Sequence, residues 1–196
     1  MIGIILGLFE HRGAFITDVS DDILSLTRKN IKANLHMFIE SRKVENENWI
    51  RVQQFDWSLG MRNMENWSRD DRFTLAEAQR CGTTLFLAAD CIYDDSLTER
   101  LFQAAASLMT ESDWLVISLD KRYNFEVSCL DLVAHGYQLF SSIVSGEIFC
   151  NEKVFIGEKI DLGTENIPAL FEGYERDSSL ELWKIKMVEV NKSCHG

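Results

Sequence analysis

Residues 87–102 read LAADCIYDDSLTERLF, and the fold turns on how that stretch divides. Leu85–Ala88 is an apolar run of strand length that gives way to an acid, so it is predicted to be a buried strand. Ser96-x-x-Glu99 is a capping box, in which a serine oxygen and a carboxylate three residues later satisfy the free N–H groups of a helix start. The helix it opens is expected to run to about Met109. Between strand and helix stand Ala89, Asp90, Cys91, Ile92 and Tyr93. A strand feeding a helix through a short polar turn is the repeating unit of an α/β layered domain.

Outward from that unit the alternation continues. Residues 2–10 look helical and apolar, and Ala14–Thr17 reads as a short strand ending at Asp18. Asp21 and Asp22 suit the positive N-terminal end of a helix with Leu24, Ile31 and Leu35 on one face. Residues 49–57, WIRVQQFDW, form another expected strand, while 58–72 show no clear period. Thr74-x-x-Glu77 is a second capping box, with its helix reaching Arg80. Downstream, Trp114–Leu119 reads as a strand. Residues 124–143 read as an amphipathic helix with Leu130, Val133, Ala134 and Tyr137 on one side. Glu147–Cys150, Val154–Lys159 and Leu180–Val190 look like strands, and these trailing strands are expected to pair as an antiparallel hairpin closing a mostly parallel sheet. Residues 1–190 are expected to make one domain and 191–196 a tail.

Composition limits the function classes. The chain has 196 residues, 46% of them hydrophobic and 26% charged, as an ordinary folded domain does. Its 31 acidic and 20 basic residues give a net charge of −11. Nucleic-acid binders neutralise phosphates with Lys and Arg, so this balance argues against direct nucleic-acid binding and favours a basic partner. The apolar run Ile2–Phe9 is too short to span a bilayer, and no membrane role is expected. Five cysteines with no CxxC pair, and four scattered histidines, argue against a disulfide framework and against a metal site. Reduced thiols fit the nucleus or cytoplasm.

In α/β sheets ligands gather at the carboxyl ends of strands, so the residues just past each strand are the candidates. Asp18 can accept the hydroxyls of a ribose, or it can be a plain loop acid. Trp57 can pack an indole on an adenine with Asp56 beside it, or it can be a core aromatic. Asp90 and Tyr93, in the spacing DxxY, can hold a basic nitrogen between a carboxylate and a ring. The alternative is a capping acid and a packed tyrosine.

With these residues in place the chain resembles the seven-stranded, S-adenosylmethionine-dependent protein methyltransferases of the methyltransferase-like family 16. The residues that carry the resemblance are Asp18 in FITD, Asp56 and Trp57 in FDW, and Asp90 and Tyr93 in DCIY. LAADCIYDDSLTERLF, KRYNF at 121–125 and YERDSSLELWKI at 174–185 resemble, within that family, a branch that methylates the nuclear nucleic-acid-binding protein kin17. The resemblance implies an α/β, Rossmann-like class I methyltransferase sheet with the antiparallel hairpin at its C-terminal side. It also implies that Asp18 binds the cofactor ribose, Asp56 and Trp57 line the adenine pocket, and Ala89 faces the cofactor. Asp90 and Tyr93 then form the catalytic, substrate-side motif, and the implied partner is a basic protein carrying the target lysine. The family's first motif, an acidic-Gly-x-Gly-x-Gly run after the first strand, has no counterpart here beyond Gly3. The chain is therefore expected to lack the first strand and glycine loop, as a fragment, short isoform or mis-started gene model would, and to bind the cofactor weakly. A catalytically inactive fold serving as a protein-interaction module is the alternative reading.

Overall fold

The computed structural model describes residues 14–34, 36, 50–72, 76, 83–126, 130–148, 150, 152–163, 177 and 179–189. The helix expected over 2–10, Leu35, most of the Thr74–Arg80 helix and the tail lie outside the described residues. The chain divides into two compact units, Met1–Arg80 and Cys81–Gly196.

In the first unit, β1 (Ala14–Asp18) and β2 (Ile50–Gln54) pair in parallel, with Ala14 opposite Ile50 and Asp18 opposite Gln54. Helix α1 (Asp21–Ala33) leaves β1 through Ser20, whose side chain accepts from the Ile23 N–H; Asp21 and Asp22 occupy its positive end. Its Ile31 packs with Ile50, Ile16 and Val52, as the sequence period requires. The expected strand over 49–57 stops at Gln54, because the Asp56 N–H turns to the Asn63 side chain at 2.8 Å instead of to a neighbouring strand. The stretch without a clear period contains a 3-10 segment, Gly60–Asn66, and then a helix start at residue 69. Ser68 caps that start: its Oγ accepts from the Asp71 N–H at 3.0 Å. The Asp71 carboxylate in turn binds Arg51 at 2.6 Å and Gln53 at 2.7 Å on β2, which fixes the helix to the strand.

The second unit holds a sheet of order β3-β4-β8-β7, made of β3 (Leu85–Ala89), β4 (Trp114–Asp120), β7 (Lys153–Ile160) and β8 (Leu180–Glu189). β3 and β4 are parallel; β8 is antiparallel to both β4 and β7, which is the expected closing hairpin. β4 alternates strictly, with Leu115, Ile117 and Leu119 buried. Phe102, Phe140, Phe155, Ile185 and Met187 are buried with them, Ile185 beside Leu115 in the sheet; Phe102 meets Phe155 edge-on at 5.0 Å and Phe140 meets Trp183 at 5.3 Å.

Four expectations change in this unit. Helix α2 (Asp95–Leu108) is capped by Asp94, whose carboxylate accepts from the Leu97 N–H at 2.9 Å; Ser96 lies inside the first turn, and a charged acid serves the helix dipole better than a hydroxyl. Strand β3 alternates instead of being buried, with Leu85 54% and Leu87 38% exposed, because β4 is its one partner among the described residues. The long helix over 124–143 is a short hairpin, β5 (Asn124–Glu126) and β6 (Asp131–Val133), followed by helix α3 (His135–Val144). Leu130 takes a left-handed φ of 55° at the turn, and an apolar run of this kind satisfies strand alternation as well as a helical face. Of the strand expected over Glu147–Cys150, the described residues 147, 148 and 150 form none; Ser145 bridges Ile156 and Cys150 bridges Lys153 as isolated pairs.

Candidate functional site

Asp90 is the first residue past β3. Its N–H donates to the Ser118 carbonyl at 2.8 Å, so the β4 ladder holds the backbone one step beyond the strand, at a φ of 56°. Aspartate is among the few residues besides glycine that enter this left-handed region readily. The loop that follows is backed by Gly136 of α3. A Cβ there would stand 2.9 Å from the Asp94 nitrogen and 3.0 Å from the Tyr93 nitrogen and carbonyl carbon. Thus a strand end on one side and a helix start on the other fix the Asp90–Asp94 turn.

The two DxxY side chains meet on one cation, and that cation is Arg122. Its Nη2 lies 2.5 Å from Asp90 Oδ2, and its guanidinium carbon sits 5.3 Å from the centre of the Tyr93 ring. Both partners of the ion pair are half-exposed, Arg122 at 48% and Asp90 at 60%. Ala89 precedes the pair, exposed at the end of β3, and its carbonyl accepts from Cys91 Sγ at 3.3 Å.

Beside Arg122, Lys121 points to a second cluster that composition could not reveal. Glu181 on β8 is 1% exposed, and its Oε1 takes Lys121 at 2.7 Å and Lys159 at 2.6 Å. The Trp183 indole N–H donates to its other oxygen at 2.8 Å. Burial pushes the Glu181 carboxyl upward, but the hydrogen bonds from the lysines and Trp183 outweigh it and hold the group at about 2. The same contact raises Lys121, whose ammonium also lies 4.6 Å from the centre of the Tyr137 ring. The segments DCIY, KRYNF and LELWKI, far apart in sequence, therefore assemble at one end of one sheet. Arg122, Lys121 and Glu181 were missed as site residues; the only signal for them was the local likeness of their segments.

In the first unit the candidate acids sit at the carboxyl ends of β1 and β2. Asp18 Oδ1 accepts from the Ser20 N–H at 2.9 Å, which is the loop-acid arrangement, and among the described residues Oδ2 has no protein donor. Asp56 Oδ1 accepts from the Ser58 N–H and hydroxyl. Trp57 is half-buried in the turn after it. A cleft of about 200 Å³ opens here, lined by Val19, Gln54, Asp56, Asn63 and Trp67 among others. Trp67, not Trp57, is its aromatic wall. It stacks on Phe15 at 5.4 Å and donates from its indole nitrogen to the Gln54 carbonyl at 3.0 Å. Amides, a carboxylate and an indole around one cleft are the donors and face that the edge and ring of a nucleoside require, so the residues present fit the nucleoside half of S-adenosylmethionine. Gly3 lies outside the described residues.

Among the described residues no group of His, Cys, Asp and Glu is arranged to hold a metal ion, and no helix is long and apolar enough to cross a membrane. Burial raises the pKa of the Cys150 thiol.

The sheet and its strand-end turn define a Rossmann-like methyltransferase fold, and a family model described as lysine methyltransferase matches residues 1–135; the chain belongs to that family. It is similar to methyltransferase-like protein 22 of Homo sapiens, 29% identical over 184 residues that cover 89% of this chain and 42% of that protein. The corresponding protein of Mus musculus is 29% identical over 181 residues, covering 87% and 43%. The chain thus spans about two-fifths of the length of these curated relatives. A solved structure of a Clostridium thermocellum protein named as an rRNA-methylase is 13% identical with a TM-score of 0.41, covering 91% of this chain and 74% of that one.

Proposed function

We propose that the protein transfers a methyl group from S-adenosylmethionine to the ε-amine of a lysine in a basic protein. The observation that carries this is the seating of one cation by the Asp90 carboxylate and the Tyr93 ring at the end of β3. A seat that holds a guanidinium by charge and ring face has the chemistry to hold a lysine side chain. In the transfer an N–C bond forms as a C–S bond breaks, and the lysine must first give up a proton, to solvent water at this half-exposed site, to expose its lone pair. Asp90 draws the ammonium in and orients it, and the Tyr93 ring confines the direction from which it approaches. The cofactor would supply an electrophilic methyl on a sulfonium. In the first unit Asp18 would hold its ribose and Asp56 would meet the edge of its adenine beside the Trp67 ring; in the second, the small Ala89 would leave space beside Asp90.

The net charge of −11 favours a basic protein substrate over a nucleic acid. The resemblance of LAADCIYDDSLTERLF, KRYNF and YERDSSLELWKI makes kin17 the first substrate to test, with the nucleus or cytoplasm as the proposed site of action. The test incubates the chain with isotopically labelled S-adenosylmethionine and recombinant kin17, followed by mass spectrometry. Methylated lysine that disappears with Asp90→Asn is the expected result, and transfer that survives the substitution overturns the assignment. Calorimetry with the cofactor accompanies it. Absence of both transfer and cofactor binding would leave the fold as a protein-interaction module.

A further inference from the structure

We propose that Arg122 is an internal occupant of the lysine seat, a resident cation that the incoming substrate side chain must displace. The inference rests on the proposed function for the identity of the displacing group, and on geometry for everything else. The seat itself is rigid: the Asp90 N–H bond to Ser118 and the bare face of Gly136 hold the turn from both sides. The occupant is not. Arginine carries a long, rotatable side chain, and Arg122 reaches Asp90 from 32 residues away through a single nitrogen-to-oxygen contact.

Both ends of that pair are about half-exposed, at 48% and 60%. Ion pairs in such surroundings shift equilibria only a few-fold, because water competes for both charges. The Tyr93 ring is 46% exposed and offers its face to the same guanidinium. A fixed seat closed by a weakly held plug has two consequences. Asp90 is not left as an uncompensated acid between turnovers, and a stray ammonium ion must out-compete a tethered cation before it enters. Arg122 is therefore a specificity-determining residue. It favours a lysine delivered by a docked protein, which gains from its other contacts, over free amines in solution.

Lys121 explains how the plug can swing without losing its place. Its ammonium is anchored on the buried Glu181, and its backbone N–H donates to the Ser179 carbonyl at 3.3 Å. The main chain next to Arg122 is thus pinned while the arginine side chain alone moves.

The test titrates the chain with n-butylammonium, the end of a lysine side chain, at neutral pH, and follows the ring signals of Tyr93 by NMR after isotopic labelling of tyrosine. Comparison with Tyr93→Phe assigns them. Arg122→Gln should bind butylammonium on the order of threefold more tightly than the unmodified chain. Arg122→Lys, which keeps a tethered cation, should return the affinity to the unmodified value. Asp90→Asn combined with Arg122→Gln should abolish the gain. Equal or weaker binding by Arg122→Gln, or no saturable shift in it, overturns the proposal. Because the readout needs no methyl transfer, tightening without any lysine methylation refutes the proposed function alone. Methylation without tightening refutes the plug alone.

Discussion

Asp90 answers two separate demands, a left-handed backbone and a charge, and substitutions separate them. Asn tolerates a φ of 56° nearly as well as Asp, whereas Ala does not. Asp90→Ala is expected to lower stability by about 1 kcal/mol in urea denaturation, while Asp90→Asn stays near the unmodified protein. Both should lose methyl transfer; if Asn retained it, the carboxylate would have no part in the reaction. This residue was legible in the sequence because an acid directly after an apolar run marks a strand end. Arg122 was not. Ala89 pairs with Ser118, and only that register sets the segment after β4 beside the turn after β3. Trp67 was missed for a related reason. Thirteen residues separate it from the Gln54 carbonyl that it bonds, and nothing local distinguishes it from Trp57.

At the scale of elements, the expectations that failed were those where one apolar pattern fits two structures. Leu130, Val133, Ala134 and Tyr137 satisfy a helical stripe, yet the hairpin wins because it delivers the chain to Gly136, where α3 must start against a neighbouring backbone. No side chain fits there. Gly136→Ala is expected to destabilise the second unit by about 1–3 kcal/mol, since the methyl group meets main-chain atoms that cannot rotate away. It should also displace the Tyr93 ring signals in an NMR spectrum, and unchanged signals would show that α3 does not support the turn. The start of α2 is a milder case. Asp94 and Ser96 are both good caps, and the extended backbone of Asp94 decides between them. Where pattern and partner agreed, as for β1, α1, β4 and the hairpin of β7 and β8, the elements lie where they were expected, within a few residues at their ends.

For the whole molecule, Glu181 concentrates an acid sensitivity in one buried group. Its carboxyl titrates near 2 in the folded chain against 4.5 when free, so the folded state holds its proton less tightly. That difference contributes stability, on the order of 3 kcal/mol, which is fully present above pH 4.5 and is lost as the pH falls toward 2. The urea midpoint should therefore drop between pH 5 and pH 3, and Glu181→Gln should be less stable at neutral pH with a flatter profile. An unchanged slope in Glu181→Gln would mean that other carboxylates govern acid unfolding. The strand order β3-β4-β8-β7 carries a further consequence, for the time at which the sheet can close. β8 is the last described strand along the chain, yet it occupies an interior place between β4 and β7. During synthesis the amino-terminal parts emerge first, so β4 must keep one flank open until residues 180–189 have been made. A chain interrupted shortly before Leu180 would lose not a margin of the sheet but the seam through its middle, and would leave the ribosome with two exposed ladders seeking a partner.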